Sequence, residues 1–233
     1  MSILTRQAWT VTATPQAVAV APRLAVPRVR RDCVSYRMAK RSLDIMGALA
    51  GMTILSLLWP AIALAIWLDS PGPVLFRQAR PGLGKRPFWL YKFRTMYRDA
   101  EMRLPQLLGG QVRRNPILID IPNDPRVTRV GRLLRRTSLD ELPQFINILL
   151  GQMSLVGPRP FSRALYSDHP LLRARFLVRP GLTGLWQING RKNTTFDEAL
   201  MLDLKYVRRC CIWEDLRIIL RTVPAILRTR GAR

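Results

Sequence analysis

The chain of 233 residues is 48% hydrophobic and carries 38 Lys and Arg against 15 Asp and Glu, a formal net charge of +23. This size supports one domain of ordinary dimensions plus an appendage, and the charge calls for an anionic partner: nucleic acid, anionic lipid headgroups or phosphorylated substrates. Three cysteines (Cys33, Cys210, Cys211) and a single histidine, His169 in the turn-like Asp168-His169-Pro170, exclude a disulfide framework, a Cys/His metal site and histidine-based catalysis, and point to a reducing, cytosol-facing body.

Residues 1–36 are rich in Ala, Val, Pro and Arg without a lasting period and lack an apolar core followed by a small-residue cleavage site. They read as a disordered N-terminal tail, not a signal peptide. From Ile45 to Leu68 there follow 24 residues without a charge, IMGALAGMTILSLLWPAIALAIWL. A helix of that length reaches about 36 Å, more than the hydrocarbon thickness of about 30 Å. Both flanks are basic: Arg28, Arg30, Arg31, Arg37, Lys40 and Arg41 before, Arg77, Arg80, Lys85, Arg86, Lys92, Arg94 and Arg98 after. The positive-inside bias therefore pulls both ends to the cytoplasm. Pro60 removes a backbone hydrogen bond inside the run and bends a helix there. On these grounds residues 37–69 either enter and leave the bilayer on one face, turning near Trp59-Pro60, or span it once with a mild kink.

After the Asp69 to Pro73 turn, β-rich pieces around Val74 to Phe76 and Phe88 to Phe93 flank the Pro81 to Gly84 turn, as in a hairpin. Residues 99 to about 125 read as a helix and a loop. A helix is expected from Ser138 and another near Asn193 to Arg208. At the C-terminus Trp213, Leu216, Ile219, Leu220, Val223, Ile226 and Leu227 recur at three- and four-residue steps, with Arg217, Arg221 and Arg228 on other faces. Such a helix either lies in the headgroup layer or docks on the core.

The chemistry concentrates in NDPRVTRVGRLLRRTSLDELPQFINILLGQMSLVGPRP, Asn123 to Pro160. Ser138-Leu139-Asp140-Glu141 has the capping-box pattern, which gives Glu141 a structural duty toward the Ser138 N–H. It also sets Asp140 in a first helical turn, where a carboxylate stays ionised and phosphate is welcome. Arg129, Arg132, Arg135 and Arg136 crowd the same stretch and suit a pyrophosphate. The same residues could form a surface ion-pair network.

LRRTSLDELPQFINILLGQMSLVGPRP, with KFRTM at Lys92 to Met96 upstream and VRPGLTGLWQINGR at Val178 to Arg191 downstream, resembles the bacterial sugar transferases, the monotopic phosphoglycosyl transferases, and among them the small exopolysaccharide-priming type. The resemblance runs from about Ala39 to Arg230. It implies a membrane-associated α/β fold: one re-entrant, Pro-kinked membrane helix (37–69), then a small cytosolic catalytic domain (70–233), rich in helices, with a short β-hairpin and amphipathic interfacial helices. It implies transfer of a hexose-1-phosphate, galactose or glucose first, from a UDP-sugar to undecaprenyl phosphate at the bacterial inner membrane, starting a polysaccharide repeat unit.

By the same resemblance Asp140 is the nucleophile, Asp140 and Glu141 form the dyad that shares Mg²⁺ with the diphosphate, and Arg135, Arg159, Lys92, Arg94 and Arg191 are substrate-binding. Lys40 and Arg41 match the basic pair at the foot of the membrane helix, and Pro60 matches the proline that breaks it. Trp59 stands where many members carry Ser, so the kink lacks that hydroxyl, and Ser56 is the substitute through its i−4 carbonyl. Anionic lipids and a homodimer follow as partners; nucleic acid does not, since no recognition motif is present. Asp203 and Tyr206 match a family segment that packing also explains, and Asn189 and Arg191 either contact the sugar or shape a loop. The rival without catalysis is a basic membrane adaptor.

Overall fold

The computed structural model describes residues 33–107, 121, 123–161, 170–189 and 195–229, without the side chains of 170, 171, 196 and 226–229. The tail up to residue 32, His169 and Arg191 lie outside the described residues.

The apolar run forms one helix, α1, Val34–Asp69, which starts at Val34 rather than at residue 37 and continues through Pro60. Its buried residues, Asp44, Ala48, Gly51, Leu55, Ile62 and Ile66, fall at helical spacing on one stripe. The other faces are as apolar, and among the described residues Met46, Leu49, Leu57, Leu64 and Leu68 are all exposed. A soluble helix would place charges there. Ser56 donates to the Thr53 carbonyl at 2.8 Å, so its bond closes on i−3 rather than on the expected i−4 oxygen.

The expected hairpin is present as β1, Leu75–Pro81, and β2, Pro87–Phe93, paired antiparallel from Leu75↔Phe93 to Pro81↔Pro87. Prolines at the last pair end the ladder because they have no N–H to donate. One face buries Phe88 and Leu90 with Ala48, Ile148 and Met153. At the far end Phe93 meets Trp59 of α1, ring centroids 5.2 Å apart, beside Leu134. A short helix, α2, Ala100–Leu107, follows.

Helix α3, Arg129–Thr137, is capped by Thr128, whose hydroxyl accepts from Gly131 N at 2.9 Å. It corrects the expectation of a helix opening at Ser138. Ser138 is the left-handed C-cap of α3 (φ 58°, ψ 16°), with its N–H bonded to the Arg135 and Leu134 carbonyls and so not open to Glu141, and its side chain makes no capping bond to the turn ahead. Leu139–Glu141 is a 3-10 turn, and the following helix, α4, is Gln144–Leu149.

Strand β3, Ser154–Val156, runs parallel to β4, Gly181–Thr183, with α5, Pro170–Arg175, between them in sequence. The short α6, Leu185–Ile188, leads to α7, Phe196–Arg209. The helix expected near Asn193 to Arg208 is thus present, and it carries the capping box, between Thr195 and Glu198. The last helix, α8, Ile212–Thr229, buries Asp215 and Ile218 and leaves Trp213, Leu220 and Val223 exposed at 81%, 75% and 61%. The expected stripe is therefore divided between core and surface. The architecture is mixed α/β with one long apolar helix along it.

Candidate active site

The hairpin, the 94–98 stretch, α2, the 121–127 stretch, α3, the turn from Ser138 to Glu141 and Arg159 line one cleft of about 1670 Å³. That exceeds the roughly 300–1,000 Å³ of most small-molecule sites. Its lining is cationic, with Lys92, Arg132, Arg135, Arg136 and Arg159 around Asp140 and Glu141. The left-handed Ser138 makes this possible, since it reverses the chain after α3 and turns both acids toward β2.

Asp140 is 9% exposed. Burial raises its carboxyl above the usual range, with Lys92 the strongest opposing influence, then Glu141 raising it, and Arg135 and Arg159 lowering it. Glu141 has no capping duty here. Its Oε1 accepts from Arg159 Nη2 at 2.6 Å and Lys92 Nζ at 3.2 Å, and its Oε2 from Arg159 Nη1 at 3.4 Å. Arg135 donates Nε–H to Thr95 Oγ1 at 2.9 Å. The two acids are the only carboxylates of the expected metal set, and among the described residues no three His, Cys, Asp or Glu converge. Magnesium accepts one or two carboxylates when substrate phosphates complete its shell, so the donor set fits an ion shared with a diphosphate and not one caged by protein.

Other expected residues serve the scaffold or stand apart from the acids. Arg94 lines the cleft but is 7% exposed, and its Nη2 donates to the Ser70 carbonyl, tying the end of β2 to the exit of α1. Lys40 donates to Val156 O, Tyr206 Oη and Asp215 Oδ2 at 3.0–3.1 Å. Arg41 donates to the Ile148 and Leu149 carbonyls at 2.7 and 2.8 Å, closing the C-terminus of α4. Both basic residues at the foot of α1 thus clamp it to the domain. Pro60 is exposed, away from the cleft.

Sequence reading did not find three contributors. Asp44, beside the uncharged run, accepts from Ser154 Oγ and Leu155 N at 2.8 Å; an acid at that place signals an inward partner. Thr95, inside KFRTM, orients Arg135. Arg175 is the buried partner of Asp203, a pairing that no local pattern announces.

A family model described as bacterial sugar transferase matches residues 35–229. The chain belongs to the bacterial sugar transferase family. The match begins with α1 and ends with α8, so it takes in every segment of the cleft. A Caulobacter vibrioides protein, UDP-glucose:undecaprenyl-phosphate glucose-1-phosphate transferase, is 43% identical over 227 residues, 93% of this chain and 78% of that protein. Galactosyl transferase CpsE of Streptococcus agalactiae is 43% identical over 201 residues, 85% of this chain but 44% of that protein. The exopolysaccharide production protein ExoY of Rhizobium meliloti is 38% identical over 205 residues, 84% of this chain and 88% of that protein. This bacterial sugar transferase sequence thus spans less than half of the Streptococcus protein and most of the other two.

Proposed function

We propose that the chain moves a hexose-1-phosphate, glucose or galactose, from a UDP-sugar to undecaprenyl phosphate at the bacterial inner membrane, initiating an exopolysaccharide or lipopolysaccharide repeat unit. One observation carries this reading: Asp140 is buried within the reach of Lys92, Arg135 and Arg159 in a cleft built on a docked apolar helix.

The Asp140 carboxylate attacks the β-phosphorus of the donor. A carboxylate oxygen–phosphorus bond forms, the bridging oxygen–phosphorus bond breaks, and UMP leaves with the electron pair. A phosphate oxygen of the polyprenol then attacks the same phosphorus and restores the carboxylate. Arg135 and Arg159 face the phosphates, and Lys92 with Arg159 holds Glu141 beside the nucleophile, charges preset for the transition state. Asp140 and Glu141 would hold magnesium, which when bound offsets diphosphate charge. Arg191 is proposed as a further substrate contact.

Both ends of α1 support a re-entrant arrangement. Lys40 and Arg41 bind the domain at its foot, and Asp69 Oδ2 accepts from Val130 N at 2.8 Å at its exit. A spanning helix separates its ends by about 30 Å of hydrocarbon. Attachment of both ends to one domain therefore favours entry and exit on the cytoplasmic face, with Pro60 supplying the bend. Residues 37–69 are the re-entrant unit and 70–233 the cytosolic catalytic unit, preceded by a tail, 1–36. The exposed Trp213, Leu220 and Val223 of α8 enter the headgroup layer beside Arg217 and Arg221, where anionic lipids balance the charge. Homodimerisation is carried over from the family.

Purified wild type and Asp140→Asn are incubated with UDP-glucose or UDP-galactose, undecaprenyl phosphate and Mg²⁺. UMP release by the wild type and background release by the variant are expected. Release by Asp140→Asn at the wild-type rate overturns the reading.

A further inference from the structure

The segment Val156 to Pro160 delivers Arg159 to Glu141, and its two prolines leave it short of backbone donors of its own. Its carbonyls are met from outside. Val156 O accepts from Lys40 Nζ and Tyr206 Oη, each at 3.1 Å, and Pro158 O from Gly181 N at 2.9 Å. Arg159 O accepts from Arg175 Nη2 at 2.7 Å.

Arg175 is itself fixed. Its Nε and Nη2 lie 2.9 and 2.7 Å from Asp203 Oδ2, and its guanidinium centre stands 3.7 Å from the centre of the Phe161 ring. The two charged side chains are 3% and 1% exposed. A buried ion pair is poor value as a packing device, because desolvation of both charges consumes most of its attraction. Asp203 Oδ1, moreover, has no hydrogen-bond partner among the described residues, a further penalty. The bond to the Arg159 carbonyl gives the pair a use. Arg159 precedes a proline and is confined to extended backbone. Fixing its carbonyl sets the peptide plane between Arg159 and Pro160, and with it the direction in which the side chain leaves the chain.

We infer that Arg175 and Asp203 are positioning residues for transfer: Asp203 orients the Arg175 guanidinium, Arg175 holds the Arg159 carbonyl, and this aims the Arg159 guanidinium at Glu141 and the donor phosphates. The inference rests on the reading of the cleft as a phosphosugar transfer site. It adds to that reading a buried pair with no direct contact to substrate. Burial also raises the Asp203 carboxyl to about 6, with Arg175 and then Arg159 opposing.

The test is a double-mutant cycle on the full chain in detergent, read as kcat/KM for UMP release from the UDP-sugar that the wild type turns over. Asp203→Asn, Arg159→Ala and the double variant are compared, with Arg175→Lys as a second entry to the pair because it keeps the charge and loses the fork. The expected result is a loss of at least about tenfold for Asp203→Asn and for Arg175→Lys in the wild-type background, and less than about twofold for either in Arg159→Ala, because the effect travels through Arg159. Additive losses overturn the inference, as does a single variant within about twofold of wild type. Failure of both variants to fold overturns it too, since the pair would then be structural. A wild type without UMP release from any donor overturns the function itself, and is told apart because the variants play no part in it.

Discussion

Arg159 Nη2 stands 2.6 Å from Glu141 Oε1, with its second nitrogen, Nη1, 3.4 Å from Oε2, so the guanidinium fork grips the residue next to Asp140. A planar fork does this better than an ammonium. Arg159→Ala should lower kcat/KM by about a hundredfold, the scale of losing one aimed donor in an active site, and Arg159→Lys should recover only part of it. Steady-state UMP release checks this, and full activity in Arg159→Lys would count against the fork.

Attack requires ionised Asp140, and burial holds its carboxyl above the usual range. Lys92 is the largest influence in the other direction. Removing a cation raises a carboxyl's pKa, so Lys92→Met should move the acid limb of the kcat/KM profile to higher pH, with activity partly recovered as pH rises. Glu141→Gln removes a neighbouring negative charge and should move the limb the other way. A pH–rate profile for each variant decides, and a limb that stays in place in both contradicts the assignment of Asp140.

Gly131 sits where α3 passes the backbone of Thr95, and an added Cβ would clash with the Thr95 carbonyl. That carbonyl also accepts from Thr128 N at 3.1 Å, so it has no room to yield. Gly131→Ala should cost about 3 kcal/mol of stability. It should also lower activity, since Arg135 lies one turn further on. Thermal unfolding of the detergent-solubilised protein measures the first effect.

Arg41 ties α1 to the last carbonyls of α4. Arg41→Ala should destabilise by about 1–3 kcal/mol, because two buried-side acceptors lose a charged donor. Denaturation of the variant against the wild type tests it.

Cys33, exposed at the N-cap of α1, reports topology. With a re-entrant α1 it should react with a membrane-impermeant thiol reagent only from the cytoplasmic side in oriented vesicles. Labelling from the periplasmic side would establish a spanning helix.

Much of this was legible in the sequence, and for physical reasons. The uncharged run, the hairpin around Pro81 to Gly84 and the cleft acids are local patterns that the fold keeps. The Ser138 capping box failed because the pattern S-x-x-E does not record that α3 already ends there; the Ser138 N–H was taken by the turn behind it. Lys40 and Arg41 read as the basic pair at the foot of the membrane helix, yet Lys40 faces a carbonyl, Tyr206 and Asp215, and Arg41 faces two carbonyls of α4. Only the packing of α1 against α4 and α8 could show that. Arg175 and Asp203 lie 28 residues apart on different helices, and the segment that carries Asp203 does not record its partner.

Covalent catalysis by Asp140 is tested most directly by intact and peptide mass spectrometry of the wild type quenched after incubation with donor and Mg²⁺ alone. A hexose-phosphate adduct on the peptide that contains Asp140 is predicted, absent in Asp140→Asn. An unmodified peptide from enzyme that releases UMP at full rate once acceptor is added would contradict it.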